Sequence, residues 1–232
     1  FPIPDILLSI KYIKIVKLYT THIFRLRKIK PLHELIIILL KLTGEGEVFF
    51  LQERVGYKNK PFNIWKFATM LKNSPNMGTG DVTVKNDPRV LPYGKWLRKT
   101  KLNELPQVFN VLLGSMSVVG ARPLVDVSFN QYSYEVRNVI YNTPPGITGI
   151  GSLIFRDEES IIAKSNMDPR AFYEQYVIPY KGALEVWYQS KKSLYLDFLI
   201  IFLTAWVILF PKSNLPFKVF RDLPKRPEAL AV

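Results

Sequence analysis

Hydrophobic and polar positions divide the chain into three regions. Residues 6 to about 43 read as helix, break, helix. Leu7, Ile10, Ile13 and Leu18 mark an apolar side, and Lys11, Lys14, Lys17, Arg25 and Lys28 fall within about one-third of the helical circumference. Such a helix suits a membrane surface, apolar side down and cations among headgroups. Packing on the protein's own core is the alternative. Pro31 interrupts the pattern. The apolar run 35–40 that follows is too short to cross a bilayer, which takes about 20 residues.

Residues 44 to about 190 form a polar body. Gly44-Glu45-Gly46-Glu47 opens it as a turn. Segments 48–56 and 62–67 read as short strands around a turn at Asn59-Lys60-Pro61. The 73–80 stretch is a polar loop. Pro106 suits the first turn of a helix and Gly114 its C-terminal cap, with Val108, Phe109 and Leu112 expected on the buried side. Residues 169–191 read as helical, with Pro179 as an expected break.

Residues 193–210 are the most hydrophobic segment, barely long enough for a span. Asp197 lies inside it. Lys191 and Lys192 precede it, and Lys212, Lys218, Arg221, Lys225 and Arg226 follow, so the flanks carry no inside–outside asymmetry. A helix lying in one leaflet satisfies both flanks; a buried core helix is the alternative. The expected class is α+β in three parts: a membrane-associated 1–43, a chemistry-bearing 44–190, and a hydrophobic helix with a basic tail over 191–232.

Charge and composition narrow the choice of partner. Lys and Arg number 32 against 19 Asp and Glu, a net charge of +13 that suits phosphorylated or anionic partners. A mean hydropathy of +0.06 favours contact with a membrane over binding nucleic acid. The absence of Cys excludes disulfides and thiolate metal sites. The opening Phe1-Pro2-Ile3-Pro4-Asp5 lacks the basic region and cleavage site of a signal peptide.

The candidate chemistry centres on Arg98-Lys99-Thr100-Lys101-Leu102-Asn103-Glu104-Leu105-Pro106-Gln107. Cations crowd a carboxylate where a helix is expected to begin, a setting suited to a metal-bound phosphate. Glu104 is the candidate Mg2+ ligand, among Arg98, Lys99 and Lys101. Arg122, in Gly120-Ala121-Arg122-Pro123, can present a planar fork to a phosphate. Lys66 stands between Trp65 and Phe67, and Asp87-Pro88-Arg89 gives an acid–base pair in a fixed turn. Each has a bland alternative: a capping acid, a solvated basic face, a surface lysine at a strand end, a turn former before proline. His22 and His33 lie in the membrane-like segment without a ligand cluster, and Gly78-Thr79-Gly80 is too short for a phosphate loop.

Several ordered motifs together are far more specific than any one of them. They are Phe49-Phe50-Leu51-Gln52-Glu53-Arg54-Val55-Gly56, Trp65-Lys66-Phe67-Ala68-Thr69-Met70, Asn86-Asp87-Pro88-Arg89-Val90, the Arg98 to Gln107 run, Gly114 to Pro123, and Pro145-Gly146-Ile147-Thr148-Gly149. Over about residues 40–210 the chain resembles the bacterial sugar transferases, the monotopic polyprenol-phosphate phosphoglycosyl transferases. The resemblance implies a re-entrant N-terminal membrane helix broken near a proline, a small cytoplasmic α+β domain and interfacial helices. It implies transfer of a phosphosugar from a UDP-sugar to polyprenol phosphate with Mg2+, at the cytoplasmic face of the bacterial inner membrane. The partners are then UDP-sugar, polyprenol phosphate and membrane lipids, with no nucleic acid and a possible homodimer.

The same resemblance assigns Asn103 to the family's nucleophilic Asp, Glu104 to its metal-binding Glu, Lys66 to its strand-end Lys, and Arg122 with Pro123 to its phosphate loop. Arg98, Asp87 and Arg89 join the substrate phosphate set. Four positions depart from the pattern: Ala68 for Arg, Asn103 for Asp, Ser115 for Asp and Ala121 for Pro. An amide is a poor nucleophile. Three outcomes remain open: Glu104 takes the role, the lipid phosphate attacks directly, or the chain is an inactive scaffold for glycan-assembly proteins.

Overall fold

The computed structural model describes residues 30–43, 45–77, 87–165 and 167–230. The basic segment 6–29 and the stretch Gly78-Thr79-Gly80 lie outside them. The fold is mixed α and β, as the sequence predicts. The chain divides into two compact units, Phe1–Gln52 with Trp65–Leu112, and Glu53–Ile64 with Leu113–Val232.

In the first unit, helix α1 spans Lys30–Thr43, with Pro31 in its opening turn, where a missing N–H costs nothing. Ile36 and Leu40, one turn apart, bury against Phe67 and Leu97, while Leu35, Ile38 and Leu42 stay exposed. Strands β1 (Phe49–Val55) and β2 (Pro61–Phe67) pair as a two-stranded sheet. A connection this short admits only a hairpin. The turn falls two residues ahead of the expected Asn59-Lys60-Pro61, as a 3-10 turn over Tyr57–Asn59 with Lys58 and Asn59 at φ 54° and 57°, and Pro61 already opens β2. The base of the hairpin belongs to the first unit and its tip to the second. Phe49 stacks on Phe67 at 5.7 Å and meets Trp65 edge-on at 5.5 Å. Helices α2 (Pro92–Lys99) and α3 (Gln107–Leu112) complete the unit.

Gly114 adopts φ +78°, the left-handed conformation expected of a residue closing a helix. The buried side of α3 is a correction. Phe109 and Leu112 are exposed, and Gln107 and Asn110 face inward. The helix turns polar groups toward the open edge of β2, and Phe109 packs against the rim of the Trp65 ring at 6.1 Å.

The second unit holds a parallel pair that local periodicity does not announce. Strand β3 (Ser117–Val119) runs beside β4 (Gly146–Thr148), with Ser117 opposite Gly146 and Val119 opposite Thr148. Helices α4 (Asp126–Phe129) and α5 (Tyr134–Val139) fill the connection between them, and α6 (Ile150–Ile154) and α7 (Glu158–Lys164) follow β4. Helix α8 (Pro169–Phe172) passes through a π-type turn, Tyr173–Val177, into α9 (Ile178–Lys191). Pro179 therefore does not break the segment. The wider turn ahead of it relieves the clash of the proline ring with the preceding carbonyls.

Helix α10 (Leu194–Leu209) and the short α11 (Leu215–Val219) end the unit. Leu196, Ile200, Leu203 and Val207 form a stripe buried against Leu184 of α9 and Ile150 and Leu153 of α6. Tyr195, Phe198, Phe202, Ile208 and Leu209 point outward and are exposed, so α10 is not a wholly buried core helix. Asp197 accepts the Tyr188 hydroxyl at 2.7 Å, which explains an acid inside an apolar run. Among the described residues no helix is long and apolar enough to cross a membrane.

Candidate active site

The first unit gathers most of the candidate residues. Lys66 Nζ donates to Gln52 Oε1 at 3.0 Å across the hairpin base. At the preceding residue of β2, the Trp65 N–H donates to Asn110 Oδ1 at 2.9 Å. Segments 69–71 and 89–91 then pair, with Leu71 N–H to Arg89 O at 2.9 Å and Leu91 N–H to Thr69 O at 3.0 Å. This pairing leads directly into α2. A Cβ on Gly94 would fall 2.3 Å from Thr69 O, so only glycine lets the helix come this close. One turn further on, Arg98 Nη1 reaches Thr69 Oγ1 at 3.5 Å.

Asp87 and Arg89 form the expected pair, deeply buried. Arg89 Nε donates to Asp87 Oδ1 at 2.9 Å and Nη2 to Oδ2 at 2.6 Å. Arg89 Nη1 also donates to the carbonyls of Ser74 and Met77, at 2.9 and 2.8 Å. This two-pronged pair ties the 74–77 turn to the 87–91 segment.

The Arg98 guanidinium stands in the field of this pair and of Glu104. Burial pulls its pKa down from the ordinary arginine range; the Asp87 and Glu104 carboxylates act against that, and Arg89 adds repulsion. Asp87, Glu104 and Arg89 thus all act on the Arg98 charge.

Lys101 takes a left-handed conformation, φ 60°, just before Asn103 and Glu104. Such a backbone costs on the order of 1–3 kcal/mol for a residue other than glycine. It starts a single 3-10 turn, Leu102–Glu104, rather than the α-helix, which begins at Gln107. The turn points Asn103 inward, where it is 8% exposed and its Oδ1 is buried without a hydrogen-bond partner. Glu104 is half-buried.

In the second unit, β3 runs into Gly120-Ala121-Arg122-Pro123. The Gly120 N–H donates to Thr148 O and the Gly146 N–H to Ala121 O, both at 2.9 Å. A Cβ on Gly146 would fall 2.1 Å from Gly120 N, so the two glycine motifs meet backbone to backbone. Tyr141 clamps the loop from below. Its hydroxyl donates to Arg122 O at 2.8 Å and accepts the Leu124 N–H at 3.0 Å. Burial pushes the Tyr141 pKa far up, so the hydroxyl keeps its proton. Arg54 Nη1 donates to Pro123 O at 3.4 Å. The Arg122 side chain itself lies at the surface, between buried Ala121 and buried Pro123.

Among the described residues no group of three His, Asp or Glu could hold a metal. A Mg2+ that arrives with a diphosphate does not need such a cage. It takes one or two carboxylates, phosphate oxygens and water. Glu104 supplies a carboxylate, and the adjacent Asn103 amide contributes a buried oxygen without a partner. These residues fit a substrate-borne cation.

Against this geometry, a family profile described as bacterial sugar transferase matches residues 11–211. The chain belongs to the bacterial sugar transferase family. It is 38% identical over 188 residues to the UDP-glucose:undecaprenyl-phosphate glucose-1-phosphate transferase of Klebsiella pneumoniae, covering 80% of this chain and 37% of that protein. It is 36% identical over 181 residues to the UDP-N-acetylgalactosamine-undecaprenyl-phosphate N-acetylgalactosaminephosphotransferase of Aeromonas hydrophila, covering 77% of this chain and 39% of that protein. It is 32% identical over 204 residues to the undecaprenyl-phosphate glucose phosphotransferase of Komagataeibacter xylinus, covering 84% of this chain and 35% of that protein. The chain thus spans little more than a third of the length of these relatives.

Within this sugar transferase, sequence reasoning missed four supporting residues. Gln52 lies in a quoted motif but gives no sign of facing Lys66. Thr69 likewise gives no sign of receiving Arg98. Tyr141 sits just before Pro144-Pro145-Gly146, and Glu185 lies mid-helix without a motif. All four act through contacts between distant segments.

Proposed function

We propose that this sugar transferase moves a sugar phosphate from a UDP-sugar to a polyprenol phosphate and so begins assembly of a membrane-bound glycan. The observation that carries this is the left-handed Lys101 turn, which buries Asn103 beside half-buried Glu104 in a chain whose residues 11–211 match the bacterial sugar transferase profile. The relatives' names, each pairing a sugar with undecaprenyl phosphate, support the substrate classes.

The residues divide the work. Glu104 and the buried Asn103 oxygen would hold a Mg2+ carried by the diphosphate, which would offset negative charge developing on the transferring phosphoryl. Arg98 binds a diphosphate oxygen, and Lys66, oriented by Gln52, adds a second cation. Asp87 and Arg89 are turned on one another and on two carbonyls, so they hold the 74–77 turn and act on Arg98 through their charge. Arg122 presents a phosphate fork on its own unit.

Asn103 cannot carry a covalent phosphosugar, because a neutral amide lacks the electron density of a carboxylate. The acceptor attacks directly instead. A lipid phosphate oxygen bonds to the β-phosphorus, the bond to the bridging oxygen breaks, and UMP leaves with the electron pair. The outward apolar face of α10 supports association with the cytoplasmic leaflet without crossing, alongside an interfacial or re-entrant N-terminal segment.

A UMP-release assay tests the function. UMP should appear only when a UDP-sugar, undecaprenyl phosphate and Mg2+ are present together. Absence of UMP across a panel of UDP-sugars would count against it.

A further inference from the structure

One buried acid lies outside the proposed chemistry. Glu185 sits in the middle of α9, 5% exposed, packed against the segment that carries β4 and the start of α6. Its Oε1 accepts the Gly151 N–H at 3.3 Å, and its Oε2 is buried without a partner. A Cβ on Gly151 would come within 2.5 Å of Oε1, so the glycine makes room for the carboxyl. One turn further along α9, Gln189 Nε2 donates to Ile140 O at 3.0 Å and Thr143 Oγ1 at 2.8 Å. Two side chains of one helix therefore grip both ends of the 140–151 segment.

Apart from Arg54 on Pro123 O, that segment carries the contacts that fix the Arg122 loop. Tyr141 clamps the Arg122 carbonyl, Gly146 and Thr148 exchange backbone hydrogen bonds with Ala121 and Gly120, and a Cβ on Gly149 would fall 2.1 Å from Gly120 O. A shift of the Gly149–Gly151 corner must move the Gly120–Pro123 backbone, because no space separates the two.

We propose that Glu185 is a positioning residue for the Arg122 loop, holding the Gly149–Gly151 corner through its buried carboxyl. Calling that loop a phosphate binder rests on the function proposed above. The charged and titratable groups facing Glu185 are Lys181 on its own helix, and Tyr132 and Tyr141 from the segments beside it. Lys181 is paired with Glu158 on α7. Burial raises the Glu185 carboxyl to about 7, against weaker lowering by the Gly151 N–H and Lys181. Ionisation leaves a charge in an apolar enclosure, and local opening to water relieves it. The corner, and with it the Arg122 loop, loosens as pH rises through neutrality.

Hydrogen exchange of the whole detergent-solubilised protein tests this without substrate. Peptides covering 118–124 and 146–152 are followed at pH 6 and pH 8, with intrinsic exchange rates divided out, in wild type, Glu185→Gln and Glu185→Ala. In wild type, both peptides should lose protection several-fold at pH 8, while a peptide covering α2 keeps its own. Glu185→Gln should remove the pH difference, and Glu185→Ala should loosen both peptides at either pH. If Glu185→Ala does not fold, the wild-type and Glu185→Gln pair decides. Equal protection at both pH values in wild type, or a pH difference that survives in Glu185→Gln, overturns the proposal. Exchange is read whether or not the protein makes UMP, so failure of the transferase function leaves this result standing on its own.

Discussion

Asn110 and Trp65 stand in for a missing strand. The Asn110 side-chain oxygen accepts the Trp65 backbone N–H at 2.9 Å, on the edge of β2 that β1 does not cover. A buried asparagine on a short helix thus ties the hairpin to the segment carrying Asn103 and Glu104. Replacing Asn110 by Ala leaves a backbone donor without its acceptor, a loss of about 1–3 kcal/mol. At about 2–4 °C per kcal/mol for a chain of this size, the melting temperature should fall by several degrees. An unchanged thermal transition would mean that the contact contributes nothing.

The Gly94–Thr69 approach gives a sharper test of how Arg98 is placed. Gly94→Ala puts a methyl group 2.3 Å from a backbone oxygen, and backbone cannot swing aside as a side chain can. Overpacking of this kind costs about 1–3 kcal/mol. Helix α2 must retreat, so the KM for UDP-sugar should rise together with the loss of stability. A stability loss with unaltered KM would separate Arg98 from substrate binding.

Breaking the Asp87–Arg89 pair should be costly on stability alone. Arg89→Met leaves a buried carboxylate without its partner, worth about 3–5 kcal/mol. Limited proteolysis should then open the 74–77 turn, whose carbonyls Arg89 holds. Resistance equal to wild type would contradict this role.

Stability should also depend on pH. The folded-state pKa of Glu185, about 7, lies above its ordinary value of 4.5. The folded protein then binds more protons than the unfolded chain between those values, so stability falls as pH rises from about 4.5 to about 7. The change is on the order of 3 kcal/mol, at about 1.4 kcal/mol per pKa unit. Asp197 is also raised, by burial, and its contribution likewise declines above the ordinary aspartate range. Denaturant titrations of wild type and Glu185→Gln across this window isolate the first group. Parallel pH profiles would contradict it.

Some of this was legible in the sequence and some was not, for identifiable reasons. The hairpin was readable because two short strand-like runs around a proline-bearing turn are local signals, although the turn itself falls over Tyr57–Asn59. Gly114 was readable because a left-handed cap selects glycine. Strands β3 and β4 were not, since strands this short leave no period and their partners are set by glycine contacts between distant loops. The buried face of α3 was misjudged because hydrophobicity favours Phe109, whereas the Trp65 N–H takes Asn110 as its acceptor. Pro179 was misjudged because the π-type turn that accommodates it depends on tertiary packing. At the site, residue types suggested Glu104 and Arg98, but the action of Asp87 and Arg89 on the Arg98 charge exists only in the fold.

Whether this chain joins a phosphosugar to a polyprenol phosphate is decided by the lipid product. The purified protein is incubated with UDP-sugars, undecaprenyl phosphate and Mg2+, and the lipid extract is analysed by mass spectrometry. An undecaprenyl diphosphosugar should form that depends on Mg2+, is lost in Glu104→Gln, and appears without any phosphosugar adduct on Asn103. Lipid product absent from the native chain, with the protein folded and binding UDP-sugar, would contradict it.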